Sequence, residues 1–124
     1  MQNAFKINWV VDSFGNKFFE FKEQNIDTID DELIGIYIIW YKDFKISERV
    51  RRVGQGTIKA RLKEHIKNPE ITKYSFKINI LFSYAKIPQN LCNGIERYLG
   101  MTLLPKVGER FPDTDPIKVN FPWQ

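Results

Sequence analysis

With 124 residues, 43% of them hydrophobic, and a net charge of +4, the chain is expected to form one soluble domain, since this length buries about two-thirds of its unfolded surface around a single core. One cysteine, Cys92, excludes an internal disulfide and multi-cysteine zinc sites, and one histidine, His65, excludes metal sites built on paired histidines. No apolar run reaches the roughly 18 residues of a membrane span and no signal-peptide pattern opens the chain, so no membrane partner and a cytoplasmic location are expected.

The charge is uneven along the chain. Residues 1–32 carry three Lys/Arg against seven Asp/Glu, and residues 42–67 carry nine against three. A basic concentration of that kind either faces a polyanion or is an ordinary solvated face. The acidic first 32 residues are expected to face away from any phosphate backbone.

FKINWVVDSFGNKFFEF alternates apolar and polar residues around Ser13–Asn16, the pattern of a hairpin with Gly15 in its turn. LIGIYIIWY is an unbroken apolar run, the mark of a strand covered on both faces. ERVRRVG follows as its antiparallel partner. A turn centred near Phe44–Ile46 sets Tyr37 opposite Val53 and Gly35 opposite Gln55. Gly54-Gln55-Gly56 interrupts that strand, and Thr57 is placed to cap a helix through IKARLKEHIK. There Ile58, Leu62 and Ile66 form the buried stripe, with Arg61 and His65 together on one flank of it. Residues 76–87 predict a further strand ended by Pro88. Asn90 is placed to cap a helix through LCNGIERYLGMTLL, with Leu91, Ile95 and Leu99 as its stripe and Glu96 at the edge. The division expected is a hairpin extension over 1–32, a core over 33–105 and an irregular, surface-wrapping tail over 106–124.

Few residues stand out as chemistry. Tyr37 and Tyr41 share a strand face with Gly35, where a missing side chain leaves a gap. Each also has a plain structural role: a strand tyrosine packs with one hydroxyl bond, a helical Arg and His pair with surface carboxylates, and a helical Glu is solvated. Cys92 reads as a small buried apolar side chain.

The order of these residues carries more than any one of them. Gly35-Ile36-Tyr37, then Val53-Gly54 and Gly56 before a helix, then Arg61 and His65 four apart, then Glu96, resembles the GIY-YIG nuclease family over residues 33 to about 105. The resemblance implies an α/β (α+β) domain with a small three-stranded antiparallel sheet flanked by helices, acting as a metal-dependent DNA endonuclease. It further implies that Glu96 holds Mg²⁺ or Mn²⁺, that Arg61 clamps the scissile phosphate, that Tyr37 orients or deprotonates the attacking water, and that His65 assists. A free phenol has a pKa near 10, so Arg61, a lysine or the metal would have to favour the phenolate. Gly35 would admit the phosphate, with Tyr41, Gln55, Arg51 and Asn120 as further substrate contacts. Where the family has a second tyrosine this chain has Val53, so Tyr41 or Tyr74 replaces it in space, or activity is reduced or lost. The alternative is a module of the same fold that binds nucleic acid or protein without cutting. Specificity would come from the terminal segments, a homodimer or a partner protein.

Overall fold

The computed structural model describes residues 5–11, 18–43, 47–73, 79–107 and 111–124. The elements in chain order are β1 (Phe19–Glu20), α1 (Glu23–Ile26), β2 (Ile34–Lys42), β3 (Glu48–Thr57), α2 (Ile58–His65), α3 (Pro69–Thr72), β4 (Leu81–Lys86) and α4 (Gln89–Leu103). The fold is α+β, with an antiparallel sheet in the order β1-β4-β2-β3. Among the described residues four strands stand where three were expected, because residues 19–20 add to the outer edge of β4.

β2 lies between β3 and β4, which explains its continuous apolar run: both of its faces are covered. Tyr37 and Ile39 look toward α2 and join Ile58, Leu62, Ile71 and Phe82 in one core. Ile36, Ile38 and Trp40 look toward α4 and join Val53, Cys92, Ile95 and Leu99 in the other. Cys92 is fully buried there, as its reading as an apolar filler required.

The register differs from the expected one. Tyr41 pairs with Arg49 as a turn centred near 44–46 demands, but the ladder slips by one between Ile39 and Trp40, so Tyr37 faces Gly54 and Gly35 faces Gly56. Arg51 is the extra residue. A bulge of this type turns two successive side chains to one side, and Arg51 and Arg52 both act on the α2 side, on Glu70 and Tyr37 respectively.

The turn at Ser13–Asn16, the turn at Phe44–Ile46 and Tyr74 lie outside the described residues. The arms of the expected N-terminal hairpin make no strand pairing with each other among the described residues. Val10 N–H donates to the Tyr84 carbonyl (2.8 Å), β1 pairs with Leu81 and Phe82, and Phe5 bridges Val119 in parallel. The unpaired edge of β4 and the C-terminal tail offer both arms acceptors they would otherwise have found in one another.

Two helix starts depart from expectation. α4 begins at Gln89 with Pro88 at its N-cap, so Asn90 is inside the helix and caps nothing. Thr57 does occupy the N-cap of α2, yet its hydroxyl makes no capping bond. α3 has a true cap: the Asn68 side chain accepts from Glu70 N–H at 3.0 Å.

Among its described residues the tail has no helix or strand of its own, but it does more than wrap the surface. Ile117 and Phe111 press against Gly94 and Gly100 of α4, at positions where a Cβ would lie within 2.6 Å of their side-chain atoms. Trp123 meets Trp40 with ring centroids 4.8 Å apart. Residues 111–124 and 5–11 therefore contribute to the same core as α4.

Candidate phosphate and cation site

β2 and α2 bring Tyr37 and His65 together because both flank the same core and because Gly54 leaves the phenol room. A Cβ on Gly54 would lie 2.1 Å from the Tyr37 hydroxyl oxygen. Gly56, at φ +121°, adopts a backbone shape that favours glycine and turns the chain into α2. The Arg61 stem lies over it, 3.6 Å from where its Cβ would be. On α2, Arg61 and His65 occupy one flank, as the 100° spacing predicts.

The Tyr37 oxygen and His65 Nε2 are 2.6 Å apart, and both residues are buried. Arg61 and Arg52 act on the phenol by charge and as N–H donors. A guanidinium can only donate. Donors acting on the phenol oxygen favour the tautomer in which its O–H donates to His65 Nε2 and the imidazole proton sits on Nδ1.

Burial sets the protonation of this pair. It raises the Tyr37 pKa despite the opposing pull of Arg61 and Arg52. The expected stabilisation of the phenolate by Arg61 is therefore present but outweighed. Burial, then Arg52 and Arg61, push His65 down to about 4, so the imidazole is neutral at physiological pH.

Glu96 stands on the other side of the sheet. Its Oε2 accepts from Gln55 Nε2 at 2.6 Å, and the same nitrogen donates to Asn93 Oδ1 at 2.6 Å. Burial raises the Glu96 pKa, while the Gln55 bond and the charges of Arg52 and Arg61 lower it. The charges of these two arginines thus act on both Tyr37 and Glu96. The Nε atoms of both arginines are buried with no hydrogen-bond partner among the described residues. Among the described residues no three His, Cys, Asp or Glu side chains converge as a metal centre. A cation at Glu96 would be held by that carboxylate, neutral oxygens and water, a donor set that suits magnesium.

The remaining candidates have other tasks. Gly35 is no opening for a phosphate: a Cβ there would lie 1.9 Å from the Ala85 carbonyl oxygen, so the space belongs to the β4 backbone. Arg51 is buried, with its guanidinium donating to the Glu70 carbonyl. Asn120 clamps the N-terminal segment, accepting from Ile7 N–H at 2.6 Å and donating to Ile7 C=O at 3.0 Å. Gln55 binds Glu96 instead of facing a substrate. Tyr41 lies four residues along β2 from Tyr37, roughly 13 Å at strand rise, and pairs with Arg49. It cannot stand in for the tyrosine missing at Val53, which itself packs in the α4-side core.

Three residues at the site escape a reading by motif. Arg52 reaches it only through the bulge. Tyr84 pairs with Tyr37 across β2 and β4, and its hydroxyl pKa is raised by burial. Asn93 sits one helical turn before Glu96, a spacing that could have flagged it. Comparison with protein-family models, curated proteins and solved structures finds no match to this chain.

Proposed function

We propose that the chain is a metal-dependent DNA endonuclease of the GIY-YIG type that hydrolyses phosphodiester bonds. The observation that carries this reading is the convergence of two incompletely partnered guanidinium groups, Arg52 and Arg61, on a hydrogen-bonded Tyr37–His65 pair, with the Glu96 carboxylate inside their field.

Arg52 and Arg61 bind the scissile phosphate and stabilise the charge that develops on it. Glu96 would hold a Mg²⁺ or Mn²⁺ ion, which would supply Lewis-acid stabilisation of the charge that develops on the leaving oxyanion. Water attacks phosphorus and the ester P–O bond breaks. The water's proton passes to the Tyr37 oxygen as the phenol's own proton moves to His65 Nε2, so the phenol ends the step neutral and never has to persist as phenolate. The phosphate has a part in this relay. Two of the three causes that hold His65 down are Arg52 and Arg61, and an anion between them offsets both, making the imidazole a better base once substrate is bound.

A second reading, a nucleic-acid-binding or interaction module of the same fold that does not cut, is favoured by the complete burial of Tyr37, its raised pKa and Val53. Plasmid DNA with Mg²⁺ or Mn²⁺, against EDTA, separates the two. The nuclease reading expects metal-dependent nicking that Glu96→Gln lowers by at least about a hundredfold, the scale of losing one main electrostatic group, while DNA binding persists. Binding without nicking in any metal leaves the second reading.

A further inference from the structure

One nitrogen, Nε2 of Gln55, lies 2.6 Å from both Asn93 Oδ1 and Glu96 Oε2. Both distances fall just below the usual range of about 2.7–3.2 Å for an N–H···O bond. Two oxygens from α4 thus converge on a single point outside the helix, and an amide NH₂, the positive end of a side-chain dipole, occupies it. The spacing suits a metal as well as an amide: 2.6 Å is the upper end of Ca²⁺–O distances and about half an ångström beyond Mg²⁺–O. Asn93 is exposed and Glu96 half-buried, so the point is open to solvent on one side. The asparagine is also electrically apt. A second carboxylate here would oppose the phosphate that Arg52 and Arg61 attract, whereas an amide oxygen adds a hard ligand without charge.

We propose that Asn93 Oδ1 and Glu96 Oε2 together form a two-oxygen seat for a divalent cation, and that the Gln55 amide is the occupant the cation displaces. The inference rests on the reading of Glu96 as the cation's carboxylate and adds its neighbouring ligand. Gln55 need not leave the site. A half-turn of its amide exchanges Nε2 for Oε1 and converts a competing donor into a further oxygen.

The test is Mn²⁺ binding to the full chain without DNA, read by the electron paramagnetic resonance of free Mn²⁺, for the wild type, Asn93→Ala, Asn93→Asp and Glu96→Gln. Asn93→Ala is expected to weaken binding roughly tenfold or more, the scale of losing a supporting ligand. Asn93→Asp is expected to tighten it, a gain that misfolding cannot imitate. In parallel, Mg²⁺ should shift the Gln55 side-chain amide resonances of the wild type. If both Asn93 variants bind as the wild type does while Glu96→Gln loses the ion, the seat is refuted and the carboxylate reading stands. If neither the wild type nor Glu96→Gln takes up Mn²⁺ at millimolar concentration, the cation reading of Glu96 fails and takes the seat with it.

Discussion

The shared proton of Tyr37 and His65 sits in a place that two cations and burial have prepared. Burial disfavours an imidazolium here first, and the charges of Arg52 and Arg61 disfavour it further. Folded His65 protonates near pH 4, but the unfolded imidazole does so near 6.5. Below 6.5 the unfolded chain therefore takes up a proton that the folded one refuses. Stability is expected to fall as pH drops from 6.5 toward 4 and to lose nothing further from this group below that. The shift corresponds to roughly 3 kcal/mol at most. Urea unfolding at intervals between pH 4 and 7 should show this slope in the wild type and its reduction in His65→Gln. Parallel curves for the two would mean that His65 is not held neutral.

At two glycines of α4 the tail comes closer than any side chain there would allow. Gly94 and Gly100 let the tail approach α4, and the backbone of Ile117 donates to the Gly94 carbonyl at 2.9 Å. Ordinarily a Gly→Ala change inside an exposed helix stabilises by up to about 1 kcal/mol. Gly94→Ala should reverse that sign, because the new methyl would lie 2.6 Å from Ile117 side-chain carbons and 3.0 Å from the Asp115 carbonyl oxygen. A net loss of about 1–2 kcal/mol is expected, within the usual cost of overpacking. It should come with a red-shifted tryptophan emission, as Trp123 withdraws from Trp40, and faster proteolysis within 111–124. A stabilised variant with unchanged emission would show that the tail does not depend on this contact.

At the scale of the molecule, the basic segment is much less available than its charge count implies. Lys59 pairs with Asp31 at 2.8 Å and Lys63 with Asp27 at 2.7 Å, so the acidic stretch lies along one flank of α2. Arg61 and His65, some 200° round the helix from Lys59 and Lys63 respectively, keep the other flank. Arg49 pairs with Asp43 at 2.9 Å, and Arg51 is buried. DNA affinity should then fall with salt along a log–log slope of about −2 to −4, not the slope near −8 that nine phosphate contacts would give. Lys59→Ala and Lys63→Ala should leave affinity nearly unchanged, while Arg52→Ala and Arg61→Ala lower it. A slope steeper than about −6, or equal losses in all four variants, would place the contact surface elsewhere. Among the described residues no helix is long and apolar enough to cross a membrane.

What the sequence determined by itself is what neighbours a few residues apart decide. The unbroken run of β2, the stripe of Ile58 and Leu62, and the common flank of Arg61 and His65 all follow from fixed local periods, and the structure has them in place. Tertiary structure alone decided the rest, because those outcomes depend on groups far away in the chain. One inserted residue in β3 moved the register and sent Arg52 to Tyr37. The β4 backbone filled the space at Gly35, and the Ile7 backbone took both ends of the Asn120 amide. Gln55 reached across from β3 to Glu96 and Asn93. Burial also reversed the expected direction of the Tyr37 pKa, since desolvation is a property of the packed core and no local pattern of residues encodes it.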